Sequence, residues 1–381
     1  MTVAVIESVS ALRDRVLDAA QRKGTLRIVG QGTWLDAGRP ARCSETVSVR
    51  ELSGITQYVP GDLTLTARAG TTLAEIRDAT SAHGQWLALD PHGADHGTLG
   101  ATVATASTGP LTAAFGAPRD LVLGVEFVLG TGVVARGGGR VVKNVAGFDL
   151  TRLLTGSWGT LGILTEITVR LHALPAVDES FAIPLDAAGA AGRVRRTLRR
   201  LPFAPYACEV INGRLAALLV GSAKPTGLFR LAGNPDAVRA QRAALAELGE
   251  AREIECDVWQ RLRQSEPDRA VVFRMSRASS DVDRTWSEAA ALTASCPGAL
   301  LAASPARGVV RCVIPASDQA SQTLHRAFSR ASDATCIGER LPAELWPAMA
   351  LAPADPISAG IKRTFDPYGV LNAGVLFGDE S

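Results

Sequence analysis

Histidine is scarce in this 381-residue chain: there are five, at positions 83, 92, 96, 172 and 325. A metal site needs three or four ligands on a firm frame, and three of these histidines lie far from the other two. The six cysteines (43, 208, 256, 296, 312 and 336) include no C-x-x-C pair. That argues against an iron–sulfur ligand set or a zinc ribbon, and for reduced structural thiols in a cytoplasmic protein. An excess of one charge is also missing. The formal net charge is +2, so there is no basic field of the kind nucleic acid would require. No apolar run reaches the roughly 20 residues of a membrane span; "GILTEITVRLHALP" comes nearest and is broken by Glu166 and Arg170. The N-terminus "MTVAVIESVSALRDRVLDAA" lacks the basic start and apolar core of a secretory signal.

What the chain does hold is the composition of an ordinary globular protein, 46% hydrophobic and 20% charged, long enough for two or three domains. Residues 8–22 read as an amphipathic helix with Ser10 as N-cap. "TLRIVG" (25–30) reads as a strand closing on the glycine turn "GQG". "LTLTARAG" (63–70) and "TTLAEIRDATSAHG" (71–84) repeat the strand and helix pattern, with Thr72 and Glu75 at capping-box spacing. "DLVLGVEFVLGTG" (120–132) and "LGILTEITVRL" (161–171) are strand-like, on either side of a turn region "ARGGGR". Past "LPAVDES" (174–180) the composition shifts to arginine-rich helices at 188–202, 236–250, 281–295 and 318–332. These alternate with the β-runs "RLAALLVG", "AVVFRMS" and "GVVRCVIP". A second α+β domain is expected there. The tail "IKRTFDPYGVLNAGVLFG" regains the glycine, proline and asparagine of the first domain and is expected to return to it.

The chemistry concentrates in residues 97–162, which hold fourteen of the 37 glycines, with no acidic residue between Gly97 and Pro118. Backbone that approaches a phosphate needs small side chains and no fixed negative charge. "GTGVVA" (130–135) matches a dinucleotide fingerprint, but "RGGGR" follows it and cannot sustain the helix that the fingerprint requires. A hairpin connection is the better reading. His92, Asp95 and His96 stand in a Pro-Gly loop, a poor frame for a metal. Three glycine loops each adjoin a β-run: "GQGTW", "GTLGATVATASTG" and "GFDLTRLLTGSWGTLGILTE". They suit a long, doubly phosphorylated ligand, with Thr98, Thr102 and Ser107 as side-chain donors.

The segments "RIVGQGTWLDAG", "LDPHGADHGTLGATVATASTG", "VKNVAGFDLTRLLTGSWGTLGILTEITVRL" and "FDPYGVLNAG" resemble, in order, the signature segments of the vanillyl-alcohol-oxidase-type FAD-binding flavoproteins. "VWQRLRQSEPDRAVVFRMS" (258–276) narrows the resemblance to the FAD-binding subunits of bacterial glycolate oxidases. The resemblance implies an α+β fold: a PCMH-type FAD-binding domain of two subdomains (1–175), an α+β cap or substrate domain (176–350), and a tail (351–381) returning to the first domain. It implies that Gly30, Gln31, Gly32, Thr33 and Trp34 meet the pyrophosphate. Pro91, Gly97, Thr98, Leu99, Gly100 and Thr102 match the second loop, continued towards the flavin by Ala106, Ser107 and Gly109. Gly156, Gly159, Thr160, Gly162 and Ile163 match the loop on the adenine side, and Asn372 the asparagine near the isoalloxazine.

Two departures stand out. The histidine or cysteine that bonds flavin covalently in many relatives is missing from the first loop, and "TASTG" carries no cysteine, so non-covalent FAD is expected. Ala101 replaces a usual glycine and puts a methyl group towards the pyrophosphate. The resemblance further implies oxidation of glycolate to glyoxylate within a complex containing a homologous FAD subunit and an iron–sulfur subunit. That complex would give the chain any peripheral attachment to a membrane. Such oxidation needs a base and a cation for the carboxylate. Arg274 is the candidate clamp, with Lys143 behind it. The late His-Glu-His cluster of related hydroxy-acid dehydrogenases is absent. That leaves open a stand-alone enzyme for another small 2-hydroxy acid or alcohol, or a non-catalytic scaffold.

Overall fold

The computed structural model describes residues 3–139, 148–186, 189–201, 203–329, 333–349 and 355–376; Lys143 lies outside them. Among the described residues the strands form two small and two larger sheets. Val3–Val5, Glu45–Ser48 and Leu26–Val29 make a small parallel sheet, beneath which Val9–Gln21 packs Leu12, Val16 and Ala19. The N-cap of that helix is Ser8, whose hydroxyl accepts from the Ala11 N–H at 3.1 Å; Ser10 lies inside the first turn. Five strands follow in the spatial order Ile55–Val59, Thr64–Arg68, Ile163–Arg170, Val122–Val128 and Val134–Gly138. Leu73–Ser81 is a helix closed by the capping box of Thr72 and Glu75. "GTGVVA" supplies the tight turn of a hairpin, since Val134–Gly138 pairs antiparallel with Val122–Val128. The segment "ARGGGR" therefore begins as a strand and not as a turn. Gly138, at φ +71°, sits where a Cβ would lie 2.2 Å from the Leu123 carbonyl.

From Val177 onward the chain builds an antiparallel sheet of eight strands. Its order is Arg252–Ile254, Val177–Pro184, Thr226–Gly233, Ala207–Ile211, Leu300–Ser304, Val309–Pro315, Ala270–Ser276 and Thr335–Arg340. Helices Ala190–Leu198, Pro235–Leu245, Val282–Thr293 and Asp318–Ser329 cover one face through the largest apolar core, around Phe181, Phe229, Phe273 and Trp286. The run "RLAALLVG" is a helix, Gly213–Val220, and not a strand. Asn212 caps it, accepting from the Leu215 N–H at 3.0 Å. Leu215, Ala216 and Leu219 are buried one turn apart, and Gly221 at φ +69° stops it. Local capping overrides an apolar run too short to show a period.

The tail lies on the small parallel sheet: Leu371 bridges Leu26 in parallel, and the Asn372 N–H donates to the Leu26 carbonyl at 2.9 Å. The far edge of the eight-stranded sheet also reaches the first loop region. Arg340 forms a β-bridge with Ala37, and the Gly38 N–H donates to the Glu339 carbonyl at 2.8 Å.

Candidate active site

A cavity of about 140 Å³ opens beyond the C-terminal end of strand Leu26–Val29. Gly30, Gln31, Gly32, Thr33, Trp34, Thr98, Gly100, Gly159, Gly162, Ile163 and Asn372 all line it. Among the described residues no carboxylate does; the charged lining groups there are Arg27 and Arg39. Gly32 turns the first loop at φ +75°. Among the described residues, the backbone N–H groups of Gln31, Gly32 and Thr33 donate to no protein acceptor. Consecutive free N–H groups in a cavity without acids form an anion nest. A dinucleotide pyrophosphate fits this donor set.

The second loop works differently from its sequence reading. Thr98 caps a short helix, Leu99–Thr105, whose first N–H groups are already engaged. Leu99 donates to Thr71 O and Gly100 to Ala69 O, both at 2.8 Å, and Ala101 to Thr98 Oγ1 at 3.2 Å. Two of the expected donors are also committed: Thr102 Oγ1 donates to Thr98 O at 3.0 Å, and the Ser107 hydroxyl pairs with that of Thr105 at 2.7 Å. The loop therefore contributes shape. A Cβ on Gly100 would sit 2.7 Å from the Ala69 methyl, whereas Ala101 lines the cavity.

Pro91, Gly97, Leu99, Thr102, Ala106, Ser107, Gly156 and Thr160 do not line the cavity. Leu99 is wholly buried in the core beneath it. Ala106 (φ +50°) ends the short helix, with Gly156 (φ +83°) packed against its methyl. Thr160 closes the third loop by donating to Ser157 O at 2.7 Å. Asn372 stitches the walls together: its Oδ1 accepts from the Ile28 N–H at 2.8 Å and its Nδ2 donates to Trp158 O at 2.6 Å. Sequence reasoning missed Arg27, Arg39, Ala69 and Trp158. Of these, only Arg27 carries a local signal, its place in the strand that feeds the first loop.

The segment that lines this cavity with residues 98–105 lines a second one with Thr108, Gly109 and Pro110. The opposite wall is the face of the eight-stranded sheet not covered by the four helices. It carries Glu209, Ser304, Arg274, Arg311 and Glu339, with Arg307 on the Ser304–Val309 turn. Arg274 thus lies in this cavity and is also ion-paired, Nη1 standing 3.5 Å from Glu339 Oε1. The pair belongs to a chain of alternating charges. Arg311 bridges Glu339 (2.7 Å) and Glu266 (2.5 Å), and Arg340 bridges Glu266 (3.2 Å) and Asp36 (2.5 Å). Burial pushes the Glu209 carboxyl up to about 8 and that of Asp90 up to about 7.

His92 faces the second cavity, and its Nδ1 is buried without a hydrogen-bond partner. Burial, with the Arg311, Arg263 and Arg307 charges, holds the imidazole well below its ordinary pKa and therefore neutral. Its neighbour Asp95 is taken up by two arginines, Arg263 at 3.0 Å and Arg77 at 3.1 Å, and His96 is exposed. Among the described residues no three His, Cys, Asp or Glu side chains are grouped to hold a metal.

A cavity without carboxylates among the described residues, with a small charged cavity beside it under a sheet-and-helix layer, suits a flavin-dinucleotide-binding protein. A family model for an FAD binding domain matches residues 2–138. The chain is 36% identical over 258 residues to glycolate oxidase subunit GlcE of Escherichia coli K12, covering 67% of this chain and 68% of that one. It is 34% identical over 152 residues to glycolate oxidase subunit GlcD of Bacillus subtilis 168, covering 40% and 32%. In fold it matches p-cresol methylhydroxylase with a TM-score of 0.76 at 16% identity, over 99% of this chain and 88% of that one. The chain belongs to the FAD-linked oxidoreductase family that includes the glycolate oxidase subunits, and its cofactor is FAD. Among the described residues no helix is long and apolar enough to cross a membrane.

Proposed function

We propose that this chain is the FAD-binding subunit of a glycolate oxidase complex, oxidising glycolate to glyoxylate beside a homologous FAD subunit and an iron–sulfur subunit in the cytoplasm. Residues 1–175 and 351–381 hold FAD non-covalently, and residues 176–350 form the cap. The carrying observation is that one segment, 98–110, lines both a donor-rich cavity without acids and a small cavity walled by arginines.

In this reading Gln31, Gly32 and Thr33 hold the pyrophosphate through their N–H groups, and Arg27 and Arg39 offset its charge. Asn372, locked between Ile28 and Trp158, keeps the first and third loops at a fixed spacing. FAD, when bound, supplies the acceptor for the hydride of the substrate carbon. The cap wall excludes water and presents cations to a carboxylate. A non-catalytic scaffold would have no use for such a wall, which favours an enzyme.

The test is a purified sample. It should be yellow and should release its flavin into the supernatant on acid precipitation. Glycolate should bleach it, with the partner subunits present, faster than other 2-hydroxy acids do. Flavin that stays with the pellet overturns the non-covalent assignment, and faster bleaching by another acid overturns glycolate. A colourless protein that FAD cannot reconstitute overturns the whole reading.

A further inference from the structure

Three groups in the second cavity stand outside the ionic chain. Arg274, Arg311 and Arg340 are matched by Glu339, Glu266 and Asp36. Arg307 has no carboxylate within ion-pairing distance among the described residues, although it is partly buried and desolvation lowers its pKa. Glu209, facing the same space, does not neutralise it at pH 7, because burial keeps that carboxyl protonated up to about 8. His92 contributes a buried ring nitrogen with nothing to bind. A partly buried cation and a buried ring nitrogen without partners are each costly. One ligand that is an anion at one end and a hydroxyl donor at the other would satisfy both.

Resting on the reading above, we propose that the second cavity is the substrate site for a small 2-hydroxycarboxylate, with Arg307 binding the carboxylate and His92 Nδ1 accepting the hydroxyl hydrogen. In the oxidation the O–H bond would break with its proton going to His92, and FAD, when bound, would supply the acceptor for the hydride that leaves the C–H bond. The carbonyl forms between the two. The cavity measures about 40 Å³. A single water needs roughly 10–15 Å³ on this scale, so the room suits an acid of two or three carbons. Gly109 keeps the floor close, since a Cβ there would lie 1.8 Å from the Asp90 carbonyl. Arg274 and Arg311 set the field but are not the clamp, because their own carboxylates already occupy them.

The test is calorimetric, on FAD-loaded protein with defined anions. Oxalate, a two-carbon dianion, should bind the wild type. Arg307→Met should weaken it by about tenfold to a hundredfold, as for loss of one charge-assisted contact. Arg269→Met, on the cap surface beside Glu344, should leave it unchanged. If Arg307→Met loses its flavin, Arg307→Lys carries the test, with binding about fivefold weaker. On dithionite-reduced protein, glycolate should bind about tenfold tighter than acetate, which lacks the hydroxyl. His92→Ala should level the two, and His92→Gln should slow flavin reduction by roughly 10²–10⁴-fold. Oxalate that fails to bind, an Arg307 variant with wild-type affinity, or a His92→Ala protein that still prefers glycolate overturns the assignment. A protein that takes up no FAD, or whose flavin no 2-hydroxy acid reduces, fails the functional reading instead, and the oxalate titration, run on the flavin-free protein in the first case, still judges the cavity.

Discussion

The two cavities meet along residues 98–110 yet are built on opposite principles. Among the described residues, the first offers free backbone N–H groups, no carboxylate, and glycines where a Cβ would collide with the wall. The second offers side chains, three arginines, two glutamates and a histidine, most of them presented by sheet strands. A backbone cradle recognises a group that every member of a family shares. A side-chain wall can be altered one residue at a time without disturbing the fold. In the reading proposed above, the cofactor is set by conformation in one cavity, and the substrate by composition in the other.

Breaking the contrast begins where the two meet. Gly109→Val should be the most damaging change, because its Cβ would overlap the Asp90 carbonyl. The expected loss is about 4 kcal/mol or more, read as failure to recover folded protein or as a collapsed melting temperature. Next is Asn372→Ala, which removes two buried hydrogen bonds between the walls of the first cavity. It should lower stability by about 2–3 kcal/mol and raise the FAD dissociation constant, both measurable by denaturant titration with and without FAD.

Gly32→Val should weaken FAD at least about tenfold while the protein still folds. A β-branched residue at φ +75° is strained by roughly 1–3 kcal/mol, and that strain displaces the free N–H groups. Flavin content after gel filtration reads it out, and full flavin content would refute the placing of the first loop.

The charged cavity gives a pH signature that the backbone cradle cannot. Burial, reinforced by the nearby Asp90 carboxyl, outweighs the charges of Arg307 and Arg311 around Glu209 and raises its pKa to about 8. Near pH 4 the carboxyl is protonated in both the folded and unfolded chain and costs nothing. As pH rises towards 8 the unfolded chain releases the proton more readily, so stability falls, and above 8 the penalty is constant. Glu209→Gln should thus come close to the wild type at pH 4 and exceed it increasingly as the pH rises to about 8, with little further gain by pH 9, in paired urea titrations. The smallest effect belongs to Ala101→Gly. Its methyl borders the cavity without closing it, so FAD affinity should change by less than about fivefold and stability by about 1 kcal/mol at most. A larger gain in affinity would show that the methyl does crowd the pyrophosphate.

Much of this is legible in the sequence, and the failures share a cause. Strand-glycine-turn units and the capping box at Thr72 are local, so their residues announce them. The first loop is also readable, because Gly32 and its neighbours are adjacent along the chain. The second loop misleads because a helix N-terminus in sequence says nothing of whether its N–H groups are already bonded. The partners here, Ala69 and Thr71, lie some thirty residues away. "RLAALLVG" fails because an apolar stretch of eight residues carries no period, and the decisive signal is the Asn212 cap before it. His92 reads in sequence as a bystander in a flexible loop. Its burial comes from Arg263 and the cap sheet, more than 160 residues further on. Arg274 is identifiable as a type of residue, but Arg307 stands out only once its neighbours in the cavity are seen to have their carboxylates.

The bond between Arg340 and Asp36 spans 304 positions of sequence, and it fastens the stretch just beyond the first loop. The stretch beside that loop, early as it lies, gains this tie only after nearly the whole polypeptide has been made. A ribosome that has released residues 1–175 has released every glycine of the cradle, but not the strand that braces it. A fragment ending before the cap would lack this tie, and its flavin content beside that of the whole chain would measure what the tie is worth to the cradle.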